Sequence, residues 1–266
     1  MSGLITLTTD FGLACGYVGV MKGVILNINP RVNIVDITHQ VAPQDVRGAA
    51  FILSTVYRFF PANTIHVVVV DPGVGTPRKA LLIKTPYGIF IGPDNGVLSY
   101  VLCDDLRKSP VIDSKIDVFV LTESRYWLHP VSRTFHGRDI FAPVAGYLSL
   151  GEPIQRFGEQ VNSLFTLPPL YFFHKSDGTL EGEIAFIDAF GNLITSVMEE
   201  DVAGRDVLVR IKGVEIKGLK HSYQETESQL LALIGSNGYL EIAMKNGSAS
   251  NYLKAVIGDR VEVMLS

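Results

Sequence analysis

The sequence predicts an α/β N-terminal domain with a mainly parallel sheet, followed by a smaller all-β, barrel-like C-terminal domain. Three observations lead there. Through the first half, apolar segments that do not alternate end on polar residues and are separated by stretches of helical period, the pattern of strands covered on both faces. At about Gln160 this gives way to VNSLFTLPPLYFFHKSDG, a stretch rich in Pro and aromatics that suits a linker. Beyond it come short alternating segments divided by glycines, as in an antiparallel barrel or sandwich. The two domains are accordingly placed at 1–165 and 175–266.

The elements follow in chain order. LITLTTD is a strand ending at Asp10, YVGVMKGVILNINP a helix stopped by Pro30, and NIVDITH a strand ending near His39. PQDVRGAAFILSTVYRFFP is a second helix, stopped by Pro61, and IHVVVVD a strand that halts at Asp71. Proline ends a helix because it lacks the N–H and crowds the preceding turn. Strand, helix, strand, helix, strand implies right-handed crossovers between parallel neighbours. GIFIGPDNG is a further strand ending near Asp94 and Asn95, and GRDIFAPVAGYLSLG a helix with Pro143 in its first turn and Gly151 at its end. In the second domain the strands fall within LEGEIAFIDAFGNLITSV, DVLVRIKGVEIKGL, LLALIGSNGYLEIAMKNG and RVEVML.

Composition narrows the function. With 266 residues, 47% hydrophobic and 19% charged, the chain has enough apolar material for a sizeable core. A net charge of −4 without a Lys/Arg run gives no electrostatic footprint for nucleic acid. No run of about 18 apolar residues marks a membrane span, and MSGLITLTTDFG lacks the charged start of a signal peptide. Cys15 and Cys103 are too few for a disulfide framework and have no metal-site spacing, so a cytoplasmic protein acting on a small molecule is expected.

Polar residues that interrupt apolar strands are the site candidates. Asp71 opens an Asp-Pro-Gly turn, a geometry favoured because Pro presets φ and Gly admits positive φ. It also stands at the carboxyl end of a buried strand, where ligands bind in α/β folds, with Arg78 following in the same loop. Asp10 is either a helix N-cap or an acceptor for a ribose diol. Asp36 and His39 in VDITH form either a local hydrogen bond or a ligand pair. His136 lies between a strand and a helix start beside Gly137, and Arg138 with Asp139 reads as a surface ion pair. Asp188, Phe190 and Asn192 span a Gly-containing turn, where Asn tolerates left-handed backbone and offers an amide suited to an adenine edge. Two chemistries fit: a metal-dependent hydrolase using Asp10, Asp36, His39, Asp71, Asp94 and His136, or a metal-free nucleoside site. Neither H-E-x-x-H nor D-x-D-x-D-G spacing occurs, and DPGVGT is not a P-loop.

Taken together, LTTDFG, GVMKGVI, VDITHQV, VDPGVGTPRK, IGPDNGVLS, FHGRDIFAPVA, IDAFGNLIT and NGYLEIAMKNGSA resemble the S-adenosylmethionine hydroxide adenosyltransferase family, relatives of the fluorinase and chlorinase. The resemblance runs through both domains in order. It implies a homotrimer with active sites between subunits, no cofactor and no metal. It also implies a catalytic set of Asp71, Arg78 and His136 that holds and activates a water for attack on the 5′ carbon of S-adenosylmethionine. In that set Arg78 orients, while Asp71 and His136 share proton acceptance. Asp10 is implied to bind the ribose hydroxyls and Asn192 the adenine, with Asp188, Phe190, Tyr223 and Ser236 as further substrate contacts. The halogenases carry Tyr-Pro-Ala-Thr where Asp71-Pro72-Gly73-Val74 stands and a Ser where Gly137 stands, and the fluorinase has an inserted loop where this chain has only Thr85-Pro86-Tyr87-Gly88. The sequence therefore sides with hydroxide, and a halogenase or a non-catalytic binder of S-adenosylmethionine or adenosine is the alternative. It departs from its relatives at LACGY, after Asp10, and at Asn237 and Met244, where halogenases have Arg.

Overall fold

The computed structural model describes residues 3–225 and 229–266. The chain divides into two compact units: one runs up to Asp104 and resumes over Ser109–Pro168, and the other comprises Asp105–Lys108 and Pro169–Ser266. No described helix is long and apolar enough to cross a membrane.

The first unit opens with β1 (Leu4–Thr9), α1 (Tyr17–Ile28), β2 (Asn33–Thr38), α2 (Val46–Val56) and β3 (Ile65–Val69). Then come β4 (Ala80–Thr85), β5 (Gly88–Pro93), β6 (Asp117–Leu121), a π-helical turn at Gly137–Phe141 leading into α3 (Ala142–Ser149), and β7 (Gly158–Val161). Seven strands form one sheet in the order β2-β1-β3-β5-β4-β6-β7. The apolar run Val67–Val70 that ends β3 has a direct cause. Val67 and Val69 pack with Met21 and Ile25 of α1 and with α3, whereas Val68 and Val70 pack with Ala49 and Leu53 of α2. Alternate side chains of one strand thus feed two cores, so no polar face remains.

The sheet is mixed rather than mainly parallel. β1 runs parallel to β2 and β3, and β3 parallel to β5, but β4 is antiparallel to both β5 and β6, and β6 to β7. The reason lies in ALLIKTPYGIFIGP: only Pro86 and Tyr87 separate β4 from β5, and a connection that short permits only a hairpin. Both crossover helices end as the prolines imply, α1 at Ile28 and α2 at Val56. α2 is capped by the Asp45 carboxylate, which accepts the Gly48 N–H at 2.8 Å.

The second unit holds β8 (Phe172–His174), β9 (Leu180–Ile187), β10 (Leu193–Met198), α4 (Glu199–Val202), β11 (Val207–Ile211) and β12 (Val214–Lys217). It continues through β13 (Leu219–Lys220), β14 (Leu230–Ile234), β15 (Tyr239–Met244), α5 (Ala249–Leu253) and β16 (Arg260–Leu265). The main path is β12-β11-β16-β9-β10-β15-β14-β13, with β8 pairing β9, and it curls until β12 meets β14, making it nearly a barrel. Inward-facing Leu180, Ile184, Val209, Leu240, Ile242 and Val263 fill its core, as period-2 patterning requires.

Candidate active site

At the carboxyl end of β3 the chain turns sharply, with Val74 N–H donating to Asp71 O at 3.2 Å and Thr76 N–H to Gly73 O at 3.2 Å. Gly75 has φ of 78° and faces the Arg133 carbonyl so closely that a Cβ would lie 2.3 Å from that oxygen, which only glycine tolerates. This turn folds Arg78 back onto Asp71. Arg78 Nε donates to Asp71 Oδ1 at 2.9 Å, and Nη2 donates both to Asp71 Oδ2 and to His136 Nδ1, the latter at 2.9 Å. The guanidinium also lies 5.5 Å from the centre of the Phe141 ring. His136 is delivered by the loop before the π-helical turn, and a Cβ at Gly137 would crowd Met21 and Phe135.

The protonation pattern follows from these partners. Guanidinium nitrogens only donate, so His136 Nδ1 presents a lone pair to Arg78 and a neutral ring carries its proton on Nε2. Burial first, and the adjacent Arg78 charge second, hold the His136 pKa below the ordinary 6.5. The side chains of Asp71 and Arg78 are almost wholly buried, so their two-pronged pairing is stronger than an exposed one.

Asp71 and His136 border a cleft of about 440 Å³ that Asp10, Phe11, Tyr17 and Gln44 also line. Asp10 does not cap a helix, because α1 starts at Tyr17 after an uncapped Gly16. Its Oδ2 instead accepts the Gln44 N–H at 2.8 Å. Asp36 and His39 make a local contact, His39 Nε2 lying 3.0 Å from Asp36 Oδ1. Among the described residues no three His, Cys, Asp or Glu side chains gather into a set that could hold a metal ion.

In the second unit, Asp188 organises the β9–β10 turn. Its Oδ1 accepts the N–H groups of Phe190 and Asn192, and its Oδ2 accepts Asn192 Nδ2, all at 2.9 Å. Gly191, at φ of 81°, leaves room for Ser248 Oγ. Phe190 stands 79% exposed at the tip while Asn192 is buried beneath it. Asp188, Phe190, Asn192 and Tyr223 line a second cleft of about 530 Å³. Tyr223 donates to Glu241 Oε1 at 2.7 Å, and burial together with that carboxylate pushes its hydroxyl pKa up to about 12. Ser236 is an exposed residue of the β14–β15 turn and does not line this cleft.

Two residues of the first cleft, Gln44 and Phe135, are not marked by the sequence reading. Gln44, in left-handed backbone at φ of 66°, contributes its N–H, which any residue but proline carries, so its identity gives no signal. Phe135 was discoverable: it precedes His136 directly and packs edge-on against Phe11 and Tyr17.

A mixed α/β unit presenting this set at a strand end, and a near-barrel unit presenting a carboxylate-bound Asn under an exposed aromatic, place the chain in a known class. Residues 5–158 match the SAM hydroxide adenosyltransferase N-terminal domain and residues 182–262 the C-terminal domain, so the chain belongs to the SAM hydroxide adenosyltransferase family. Among its relatives, the (R)-S-adenosyl-L-methionine hydrolase of Salinispora tropica is 35% identical over 97% of each chain. That of Methanocaldococcus jannaschii is 36% identical, over 98% of this chain and 95% of the relative. A fluorinase of Actinoplanes sp. is more distant, 25% identical over 75% of this chain and 73% of its own. A crystal structure of an uncharacterized conserved protein from Thermotoga maritima superposes with a TM-score of 0.86 at 37% identity, covering 97% of this chain and 99% of that one.

Proposed function

We propose that the chain hydrolyses S-adenosyl-L-methionine to adenosine and L-methionine by attack of an activated water or hydroxide at the ribose C5′. The observation that carries this reading is the single guanidinium that grips Asp71 with two nitrogens and His136 with one of the same two. The family membership and the names of the relatives support it.

A sulfonium departs as a neutral thioether, so the leaving group needs neither a proton donor nor a Lewis acid, and the chemistry to be supplied is on the nucleophile. Arg78 fixes the geometry. Asp71 is the proton acceptor, since a carboxylate bound to Arg78 keeps lone pairs for a water. His136, with Nδ1 committed to Arg78, donates its Nε2–H to the water oxygen and aims it, so the proton acceptance that the sequence shared between Asp71 and His136 falls to Asp71. Placing the water in line with C5′ contributes up to roughly 7–11 kcal/mol in favourable cases. In this reading Asp10 takes the ribose diol in the first cleft. The second cleft takes the adenine, stacked on Phe190 and read by Asn192, with Tyr223 as a wall and Asp188 holding the Asn192 amide. Ser236, on the exposed β14–β15 turn, is a further substrate contact in this reading.

The same reading makes the protein a cytoplasmic, metal-independent homotrimer with active sites at subunit interfaces. Neither Cys15 nor Cys103 is in a disulfide, which suits a reducing compartment. The outer face of α1 leaves Tyr17, Val20 and Leu26 exposed, and Gly19 and Gly23 there have open space where a side chain would be; both suit contact with another copy.

The test is turnover of S-adenosylmethionine in ¹⁸O water, with and without EDTA, beside Asp71→Ala. Labelled adenosine and methionine from the wild type, unaffected by EDTA and lost in the variant, are the expected products. A nucleoside 5′-halide formed in the presence of halide would make it a halogenase, and binding without turnover would make it a sensor.

A further inference from the structure

The VDITH motif has no place in the proposed reaction, yet its histidine is only 4% exposed, with Nδ1 hydrogen-bonded to Thr9 and Nε2 in contact with the Asp36 carboxylate without hydrogen-bond alignment. His39 Nε2 faces the Asp36 carboxylate, which cannot donate, so the proton sits on Nε2 and the Nδ1 lone pair accepts the Thr9 hydroxyl at 2.9 Å. Thr9 Oγ1 in turn accepts the Phe11 N–H at 3.3 Å. The His39 carbonyl accepts the Gly12 N–H at 2.8 Å. On the outside, Lys22 Nζ of α1 binds the other Asp36 oxygen at 2.6 Å.

The order hydroxyl, imidazole, carboxylate is that of a nucleophile set, but Thr9 is 0% exposed within β1 and its oxygen is already occupied. What the network surrounds is Asp10: the residue before it and the two residues after it are all held by His39, directly or through Thr9. We propose that His39 is a positioning residue that fixes the Asp10–Gly12 loop through Thr9 and its own carbonyl, and so places the Asp10 carboxylate for the ribose diol. The proposal rests on the reading of Asp10 given above. Physically it answers why a buried imidazole is spent at a strand end: the backbone after β1 leaves the sheet ladder there, and a loop without ladder bonds keeps one geometry only if its N–H groups find fixed acceptors.

The experiment compares wild type, Thr9→Val, His39→Gln and Asp10→Ala on S-adenosylmethionine and on its 2′,3′-dideoxy analogue, with amide exchange at Phe11 and Gly12 measured alongside. Thr9→Val keeps shape and strand propensity, so it folds even if His39→Gln does not. For Thr9→Val we expect KM for S-adenosylmethionine to rise on the order of tenfold with kcat within about twofold. The rise should vanish on the dideoxy analogue and in the Asp10→Ala background, and both amides should exchange faster. An equal loss on both substrates, additivity with Asp10→Ala, or unchanged exchange overturns the proposal. If Asp10→Ala itself does not discriminate the two substrates, the ribose reading of Asp10 falls, and exchange at Phe11 and Gly12 alone decides whether His39 fixes the loop.

Discussion

Arg78 does something no other residue type offers here. One planar fork with Nε and Nη2 on Asp71 has the second Nη2 hydrogen left for His136, whereas an ammonium is a point charge on a flexible stem. Arg78→Lys is therefore expected to lower kcat by about 10²–10³-fold while the pair charge is preserved, as single-turnover kinetics would report. The same contact sets a pH limit. Protonating His136 places an Nδ1–H against Arg78, and both burial and that charge lower its pKa from 6.5. The neutral ring that the proposed reaction uses then persists below the usual histidine range, so the acid limb of kcat/KM attributable to His136 is expected below pH 6.5. A pH–rate profile with that limb above 6.5 would contradict the assignment of His136 as a neutral donor.

At the scale of elements, β3 links stability to the site. His66 on this strand is wholly buried, with Nδ1 2.8 Å from Thr6 Oγ1 and its ring stacked on Phe90. Burial pushes its pKa down to about 4. The sign is that of a group folded in its neutral form: the unfolded chain takes up a proton near pH 6.5 while the folded one does not. Its contribution is complete above pH 6.5 and is lost as pH falls toward about 4, amounting to about 3 kcal/mol over that window. Urea unfolding at pH 7 and pH 4.5 should show the loss, and His66→Phe should flatten it. Because β3 ends in the Asp71 turn, acid inactivation by unfolding and by His136 protonation are separated by measuring both on one sample. VDITH shows a D-x-x-H pair in the sequence, but the bond of His39 to Thr9 joins the end of β2 to β1, and sequence spacing does not reveal which strands are neighbours.

For the whole molecule, the proposed trimer makes a prediction distinct from the chemistry. Light scattering on the eluting protein should give three times the chain mass, and Val20→Arg on the exposed face of α1 should lower it, since an arginine in an apolar contact goes unpaired. Activity lost together with trimer mass, and regained at high protein concentration by mass action, would tie the site to the interface. A monomeric wild type with full activity would remove the interface from the reading.

By itself the sequence determined the order of most elements of the first unit and the residues at its strand ends, because burial on both faces, proline stops and Asp-Pro-Gly turn chemistry are written locally. It also named the proposed catalytic set, though only through the ordered motifs, since Asp71 and His136 are far apart in the chain. What only the tertiary structure decided was pairing. The β4–β5 hairpin makes the sheet mixed, Gln44 supplies a backbone donor to Asp10, Ser236 falls outside the cleft, and Arg78 rather than Asp71 meets His136 Nδ1. Each of these depends on which segments lie side by side, and such contacts are selected by the packing of the whole fold, not by the residues that happen to make them.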